Sequence, residues 1–99
     1  MTGLAYQDFE HRAGTAYRVV PVPISGEVEP VTLTLRICAP LNDSGREGGS
    51  FRLEFTGPAQ PHLPQAIYAF EAAGEQPIEI FIVPVAAQAG ALIYEAVFF

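Results

Sequence analysis

Reactive side chains are few in this chain, and their spacing matches no catalytic motif. Cys38 is the single cysteine, and His11 and His62 are the two histidines. A cysteine nucleophile needs a neighbouring base and a lowered pKa, and no Cys/His motif joins these residues. We therefore expect Cys38 to be a small apolar side chain at the end of a strand. His11 is expected in solvent, and His62 is expected to make one backbone hydrogen bond within a loop.

The carboxylates offer a second kind of chemistry. Glu79 and Glu95 are each almost the only polar residue in an apolar run. Brought together, two such groups would suit glycoside hydrolysis or proton transfer. The simpler interpretation is that each marks the solvent side of its strand or pairs with an arginine, as exposed strand positions explain Glu54 and Glu71. No further motif supports catalysis, so we expect the chain not to be an enzyme.

Metal and cofactor sites are not expected either. A single cysteine excludes an internal disulfide and a cysteine-based zinc site. The stretch from Asn42 to Gly45 lacks the alternating acidic ligands of a calcium loop. Gly45, Gly48 and Gly49 are followed by neither the lysine nor the helix of a phosphate-binding loop. The sequence thus predicts no catalytic, metal-binding or cofactor-binding residue.

Composition narrows the class of partner. Of the 99 residues, 49% are hydrophobic and only 16% charged, which excludes disorder and suggests that a partner covers some apolar surface. The net charge is −6 and all five cations are arginine, which argues against nucleic acid and against anionic membranes. No signal-peptide pattern begins the chain, and no apolar run approaches the roughly 20 residues that span a bilayer. The expected location is the cytoplasm, with incorporation into an assembled particle as an extension of that prediction.

Periodicity predicts a single all-β domain over residues 1–99. Alternating residues indicate six strands, joined by turn signals that favour antiparallel neighbours. We expect a small antiparallel sandwich or barrel, with one short N-terminal helix over residues 5–13 that Phe9 anchors and Gly14 ends. The expected strands are residues 15–20, 31–38, 51–55, 67–71, 78–83 and 92–99.

Three of these strands carry more detailed expectations. In the strand 31–38, Val31, Leu33, Leu35 and Ile37 are expected to face inward. The strand 78–83 is apolar on both faces apart from Glu79, which indicates a central strand or one covered on both sides. The C-terminal strand is expected at an edge of the sheet, where a partner strand would add.

The loop predicted over residues 56–65 is the segment expected to meet a partner. Three prolines within seven residues stiffen its backbone, and Gln65 is expected to supply hydrogen bonds to it. The alternative interpretation is a structural crossover between sheets. The residues singled out as shaping this contact surface are Gly57, Pro58, Pro61, His62, Pro64, Gln65, Tyr68 and Tyr94.

A family resemblance covers nearly the whole chain. The strings that carry it are Asp8-Phe9, Gly14 with Tyr17-Arg18-Val19, Phe55-Thr56-Gly57-Pro58, Leu63-Pro64-Gln65 with Tyr68, Phe81-Ile82-Val83-Pro84-Val85, and Tyr94 to Phe98. Together they resemble a bacterial family of roughly 100-residue proteins described as a domain of unknown function (DUF6916-like). The family has no assigned activity, so the resemblance implies no catalytic residue. It implies an association with tail-collar or tail-fibre-like phage proteins.

Two functions remain open on the sequence alone. The first is a non-enzymatic structural, assembly or protein-interaction domain, whose partner is a tail-fibre-like protein or a second copy of the chain. The alternative is a small-ligand-binding module that uses a barrel mouth or sandwich end lined by Tyr68, Tyr94 and His62. The second requires an open apolar pocket, and a filled interior would remove it.

Overall fold

Six strands make up the fold. The computed structural model describes residues 9–22, 30–40, 51–60 and 62–98. The strands follow the segments in which apolar and polar residues alternate. Their bounds are β1 Ala16–Pro21, β2 Val31–Pro40, β3 Phe51–Pro58, β4 Ala66–Glu71, β5 Ile78–Gln88 and β6 Ala91–Phe98. The all-β prediction is confirmed.

The sheet closes into a barrel. Around the barrel the strand order is β1, β2, β3, β6, β5 and β4, with β4 pairing back to β1. Every one of these pairings is antiparallel. Of the two architectures expected, the barrel is therefore the observed one. The prediction that the C-terminal strand is an edge is wrong, because β6 is paired with β3 on one side and β5 on the other.

The interior of the barrel is filled with side chains. Alternate residues of every strand point inward, as the pleat requires. The rings of Tyr17, Phe55 and Phe70 meet there with centroids 4.9 to 6.1 Å apart. The buried cluster comprises Phe9, Tyr17, Val19, Val31, Leu33, Leu35, Phe51, Leu53, Phe55, Tyr68, Phe70, Ile80, Ile82, Tyr94 and Ala96.

The segment before β1 consists of turns. The Arg12 N–H donates to the Phe9 carbonyl and the Thr15 N–H to the Arg12 carbonyl, both at 2.9 Å. The predicted helix 5–13 is therefore absent from residues 9–13, while residues 5–8 lie outside the described part of the chain. So short a segment is helical only where tertiary packing favours it.

Phe9 nevertheless anchors this segment, as predicted. Its side chain is 1% exposed, and its ring lies 5.9 Å from that of Phe51 and 6.5 Å from that of Phe98. Phe51 and Phe98 themselves stack at 4.5 Å. These three rings close the end of the barrel where β3 begins and β6 ends. Gly14, with a φ of 94°, takes the positive-φ conformation expected of it.

A β-bulge halfway along β2 changes which residues of the strand point into the barrel. The register with β3 shifts between Leu35 and Ile37, which makes Arg36 an extra residue. Beyond the bulge Cys38 packs against the interior and Ile37 faces outward. The prediction that Ile37 points inward is therefore wrong, because one inserted residue shifts the alternation of everything after it.

β3 and β5 run further than predicted. Gly57 and Pro58, expected in a loop, belong to β3, and β5 continues through Pro84 to Gln88. Pro58 is the last residue of its strand, and Pro84 adjoins a second bulge at Val85, so neither proline interrupts a regular ladder. Residues 41–50, between β2 and β3 in the sequence, lie outside the described part of the chain, and β2 pairs with β3.

Candidate functional site

One loop crosses the mouth of the barrel from side to side. Residues 59–65, here called the crossing loop, join β3 to β4. In the closed order these strands are three positions apart in either direction, so they stand on opposite walls. The loop must therefore pass over the end of the barrel. This agrees with the crossover interpretation of the proline-rich segment, with the barrel mouth in place of a second sheet.

Two tyrosine hydroxyls hold the crossing loop from below. The Leu63 N–H donates to Tyr94 Oη at 3.0 Å, and Tyr68 Oη donates to the Pro64 carbonyl at 2.7 Å. The Leu63 side chain packs against the interior cluster. Burial, with a smaller contribution from Tyr94, raises the pKa of Tyr68 above its ordinary value, so its hydroxyl stays protonated and able to donate.

The tyrosines perform the task that the sequence suggested for Gln65. Tyr68 and Tyr94 are 3% and 1% exposed, with only their hydroxyls reaching the loop backbone. Gln65 is exposed. Tyrosine suits this position because its ring fills an interior while its hydroxyl pairs a backbone group. Sequence reasoning placed Tyr68 and Tyr94 beside the loop but missed their hydrogen bonds, which depend on strands that only the closed barrel brings together.

Gly57 allows the barrel wall to pack tightly beneath the loop. A Cβ atom at this position would overlap Leu33 Cδ2 and lie 3.5 Å from Tyr94 Cε1. Leu33 and Tyr94 are both buried, so neither can move into solvent. The glycine is therefore needed for close approach of neighbouring walls rather than for an unusual backbone angle.

Four of the residues predicted to form a contact surface are exposed. Pro58, His62, Pro64 and Gln65 are all exposed, while Pro61 lies outside the described residues. The residues proposed from the sequence thus divide into two groups. Gly57, Tyr68 and Tyr94 position the loop from inside, and the exposed residues stay available as a contact surface.

The candidate catalytic groups do not converge. Cys38 lies near the end of β2, at the Phe9 end of the barrel, whereas His62 is in the crossing loop at the other end. Burial, with a smaller contribution from Glu10, raises the pKa of the Cys38 thiol, which disfavours the thiolate. The His11 side chain is 89% exposed, as expected.

Glu79 and Glu95 also lie apart. Glu95 is opposite Val83 on β5, four residues along the strand from Glu79, which corresponds to about 13 Å. In the described ranges no three His, Cys, Asp or Glu side chains group as metal ligands would. Those ranges also contain no helix of the length and hydropathy that crossing a bilayer requires.

Arginine pairs occupy the outer face of β2, β3 and β6. Arg52 bridges two carboxylates, since its Nη1 donates to Glu54 and lies 3.4 Å from Glu95 Oε2. The hydrogen bond to Glu54 is the main cause of a raised Arg52 pKa. Arg36 Nε is 3.9 Å from Glu54 on its other side. The interpretation of Glu95 as an arginine partner is therefore confirmed, and this cluster is electrically balanced.

Another ion pair, between Arg12 and Glu75, lies at the Phe9 end of the barrel. Arg12 Nη1 lies 2.7 Å from Glu75 Oε2 in the turn between β4 and β5, and this bond is the main cause of a raised Arg12 pKa. The nearby Tyr17 hydroxyl contributes to the same shift. Tyr17 Oη is buried and has no hydrogen-bond partner of normal geometry among the described residues. The Arg12–Glu75 pair therefore links the segment before β1 to the turn between β4 and β5.

Large apolar side chains lie in one row on the outside of the barrel. Ile67 of β4 is directly opposite Phe81 of β5, and they are 46% and 51% exposed. Continuing the β1–β4 register beyond Pro21 places Val22 beside Ile67, and continuing the β5–β6 register places Val97 beside Phe81. Val22 and Val97 are 36% and 40% exposed. We call these four residues the apolar belt.

The apolar belt decides between the two alternatives predicted for β5. The strand is central, since it pairs with β4 and β6, but its outer face is not covered. Its inner residues Ile80 and Ile82 are buried, but Phe81 stands half in solvent. A monomeric barrel has one filled face and one wet face, so an apolar outer row is unusual enough to require an explanation.

The comparisons with known proteins agree with the resemblance found in the sequence. No curated protein and no solved structure matches the chain. The family model described as Domain of unknown function (DUF6916) matches residues 4–98. This match covers all six strands of the barrel, the crossing loop and the apolar belt, and the chain therefore belongs to the DUF6916 family.

Proposed function

We propose that this chain is a non-enzymatic protein-interaction domain that serves as a structural or assembly part. The observation that carries the proposal is the apolar belt. Four large apolar side chains line up across four strands, on a barrel whose interior is already full. Surface hydrophobics scattered singly need no explanation, whereas a contiguous row marks a site of association.

The filled interior favours this function over a small-ligand module. A ligand site would need a cavity at a barrel mouth. Here Phe9 packs into one end, and Leu63 of the crossing loop packs into the other. The sequence suggested Tyr68 and Tyr94 as lining residues of a pocket. Their hydroxyls instead form hydrogen bonds with the loop backbone.

The dispersed reactive groups support the non-enzymatic part of the proposal. A nucleophile and its base must lie within hydrogen-bonding reach of each other, or nearly so. Cys38 and His62 belong to opposite ends of the barrel, and Glu79 and Glu95 are about four residues apart along the sheet. The burial that raises the pKa of Cys38 works against nucleophilic use as well.

The proposed partner is a tail-collar or tail-fibre-like protein, in keeping with the resemblance described above. The proposed setting is the cytoplasm, with the domain incorporated into an assembled particle. The net charge of −6 agrees with a protein partner rather than a nucleic acid. A homo-oligomer is the second form that such an assembly would take.

The test is binding to a purified tail-collar-like or tail-fibre-like protein. Phe81→Ser removes the most exposed belt side chain, and Val85→Ser is the matched control. Val85 is 49% exposed on the same strand but about 13 Å from Phe81. We expect a complex that Phe81→Ser weakens about tenfold or more and Val85→Ser leaves unchanged. A wild-type protein that stays monomeric and binds no such protein would contradict the proposal.

A further inference from the structure

Two carboxylates flank the apolar belt, one on each side. On one side of the belt, Glu79 lies two residues before Phe81 on the same outer face of β5. On the other side, Glu95 lies two residues before Val97 on β6. Alternate residues of a strand share a face, so both carboxylates flank the row of apolar side chains.

Among the described residues, Glu79 differs from the other carboxylates of this sheet in forming no ion pair with an arginine. Glu71, Glu75 and the Glu54–Glu95 pair each lie within 4 Å of an arginine. All four arginines of the described residues are used in these pairs. Glu79 is exposed and has no ion pair within that same part of the chain. An uncompensated negative charge therefore stands beside the most exposed aromatic side chain.

We infer that the apolar belt docks a different protein whose contact surface has an apolar centre and a lysine or arginine placed to meet Glu79. This inference rests on the proposed function and specifies the partner's chemistry. Apolar contact supplies most of the affinity in such interfaces, and charge complementarity sets the choice of partner and the rate of association. A cation beside Glu79 would pair a carboxylate that has no arginine partner among the described residues.

A second copy of the chain fits the belt less well. Each copy carries a net charge of −6, so two copies repel each other as they approach. Like charges facing each other across an interface cost free energy. The four described arginines are already engaged in ion pairs, so that part of each copy offers no unpaired arginine to the other.

The inference is tested with two short synthetic amphipathic peptides that share the same leucine and phenylalanine positions. One carries lysine at its polar positions and the other carries glutamate. Binding is measured by fluorescence anisotropy for the wild-type chain, Phe81→Ser, Glu79→Gln and Glu10→Gln. Glu10→Gln is the charge-matched control, because it removes the same charge from the turn segment before β1, outside the strands that carry Ile67, Phe81 and Val97.

We expect the lysine peptide to bind about tenfold more tightly than the glutamate peptide, with the difference shrinking between ~0.05 M and ~0.5 M salt. Phe81→Ser should weaken both peptides. Glu79→Gln should weaken the lysine peptide alone by about threefold, and Glu10→Gln should leave it unchanged. Equal effects of Glu79→Gln and Glu10→Gln would mean that only net charge matters, which overturns the inference.

The remaining outcomes separate this inference from the proposed function. If Phe81→Ser weakens both peptides while Glu79→Gln changes neither, the belt is a docking surface but its partner is not chosen by charge. If Phe81→Ser changes nothing, the belt is not a docking surface and the proposed function fails with it. Sedimentation that shows a dimer abolished by Phe81→Ser would assign the belt to a second copy and overturn the inference.

Discussion

Single residues at the mouth of the barrel decide how the crossing loop is held. Gly57 lets the wall approach Leu33 and Tyr94, and the two tyrosine hydroxyls pair the backbone of Leu63 and Pro64. Each is a local steric or hydrogen-bonding requirement with a distinct consequence when it is removed. Both predictions at this scale concern that mouth.

Gly57→Ala is expected to destabilise the fold by about 1–3 kcal/mol, because the added methyl overlaps the buried Leu33 side chain. Urea denaturation measures the change. Gly57→Ala combined with Leu33→Val should cost less than the sum of the two single changes, since valine is smaller at the point of overlap. Strict additivity in this pair would mean that the two residues do not collide.

The raised pKa of Tyr68 predicts how the stability of the fold depends on pH. Its folded-state pKa is raised above the ordinary value of 10.0, so above about pH 10 the unfolded chain binds fewer protons than the folded one at this residue. The free energy of unfolding should therefore fall as pH rises through that range. Tyr68→Phe, measured by denaturation at successive pH values, should show a shallower decline. Parallel profiles for the two proteins would contradict a raised Tyr68 pKa.

At the scale of elements, hairpins and bulges set which face each residue occupies. The bulges in β2 and β5 reverse the alternation, and the β5–β6 hairpin turns through Ala89 and Gly90. These two residues have φ values of 48° and 79°. Two successive positive values are typical of the type I′ turn, which favours Asn-Gly.

Ala89→Asn is expected to raise the free energy of unfolding by about 0.5–1 kcal/mol, because asparagine tolerates positive φ better than alanine does. Thermal and urea denaturation both report this change. Gly90→Ala, its neighbour in the same turn, should lower stability by about 1 kcal/mol. Two changes of the same sign would show that the turn does not have this backbone conformation.

At the scale of the whole molecule, closure leaves each described strand paired on both sides and both ends filled. Closure directs any association of this barrel towards side-chain contacts on its outer wall rather than strand addition. The apolar belt lies on that wall. The rings of Phe9, Phe51 and Phe98 fill one end of the barrel, and the crossing loop covers the other, so both ends belong to the buried core.

Phe9→Ala is expected to cost about 3 kcal/mol, although Phe9 precedes the first strand, because its ring fills one end of the barrel. Phe81→Ala, which removes the same ring from the exposed belt, should change stability by no more than about 0.5 kcal/mol. Urea denaturation of both variants makes the comparison. Similar costs at the two positions would mean that exposure in this structure does not separate core from surface.

The sequence predicts the regular parts of this fold well and its irregular parts poorly. All six strands are found, because alternation of apolar and polar residues directly encodes a strand with one buried face. Ile37 was placed on the wrong face and the helix 5–13 is not seen in residues 9–13. Ile37 was misplaced because a bulge inserts a residue that the alternation of residue types does not reveal. The helix was misplaced because so short a helix forms only where tertiary packing favours it, and no local sequence pattern reports that packing.

The candidate site was also predicted in part, since its residues were identified from the sequence but their contacts were not. Tyr68, Tyr94 and the prolines were singled out from the sequence, but their hydrogen bonds were not foreseen, since Tyr94 and Leu63 are far apart along the chain. The apolar belt was anticipated only as an excess of hydrophobic residues. Its members come from four strands, and none of them is close in sequence to the next.

The chain's own amino acids determined that it is a β protein with an apolar surplus, an acidic net charge and no recognisable catalytic motif. These are properties of composition and of neighbours along the chain, which a pattern of period two displays directly. Tertiary structure alone decided that the sheet closes, that the crossing loop seals its mouth, and that Val22, Ile67, Phe81 and Val97 stand in one row. Closure and alignment depend on register between distant strands, and register is settled by packing rather than by local preference.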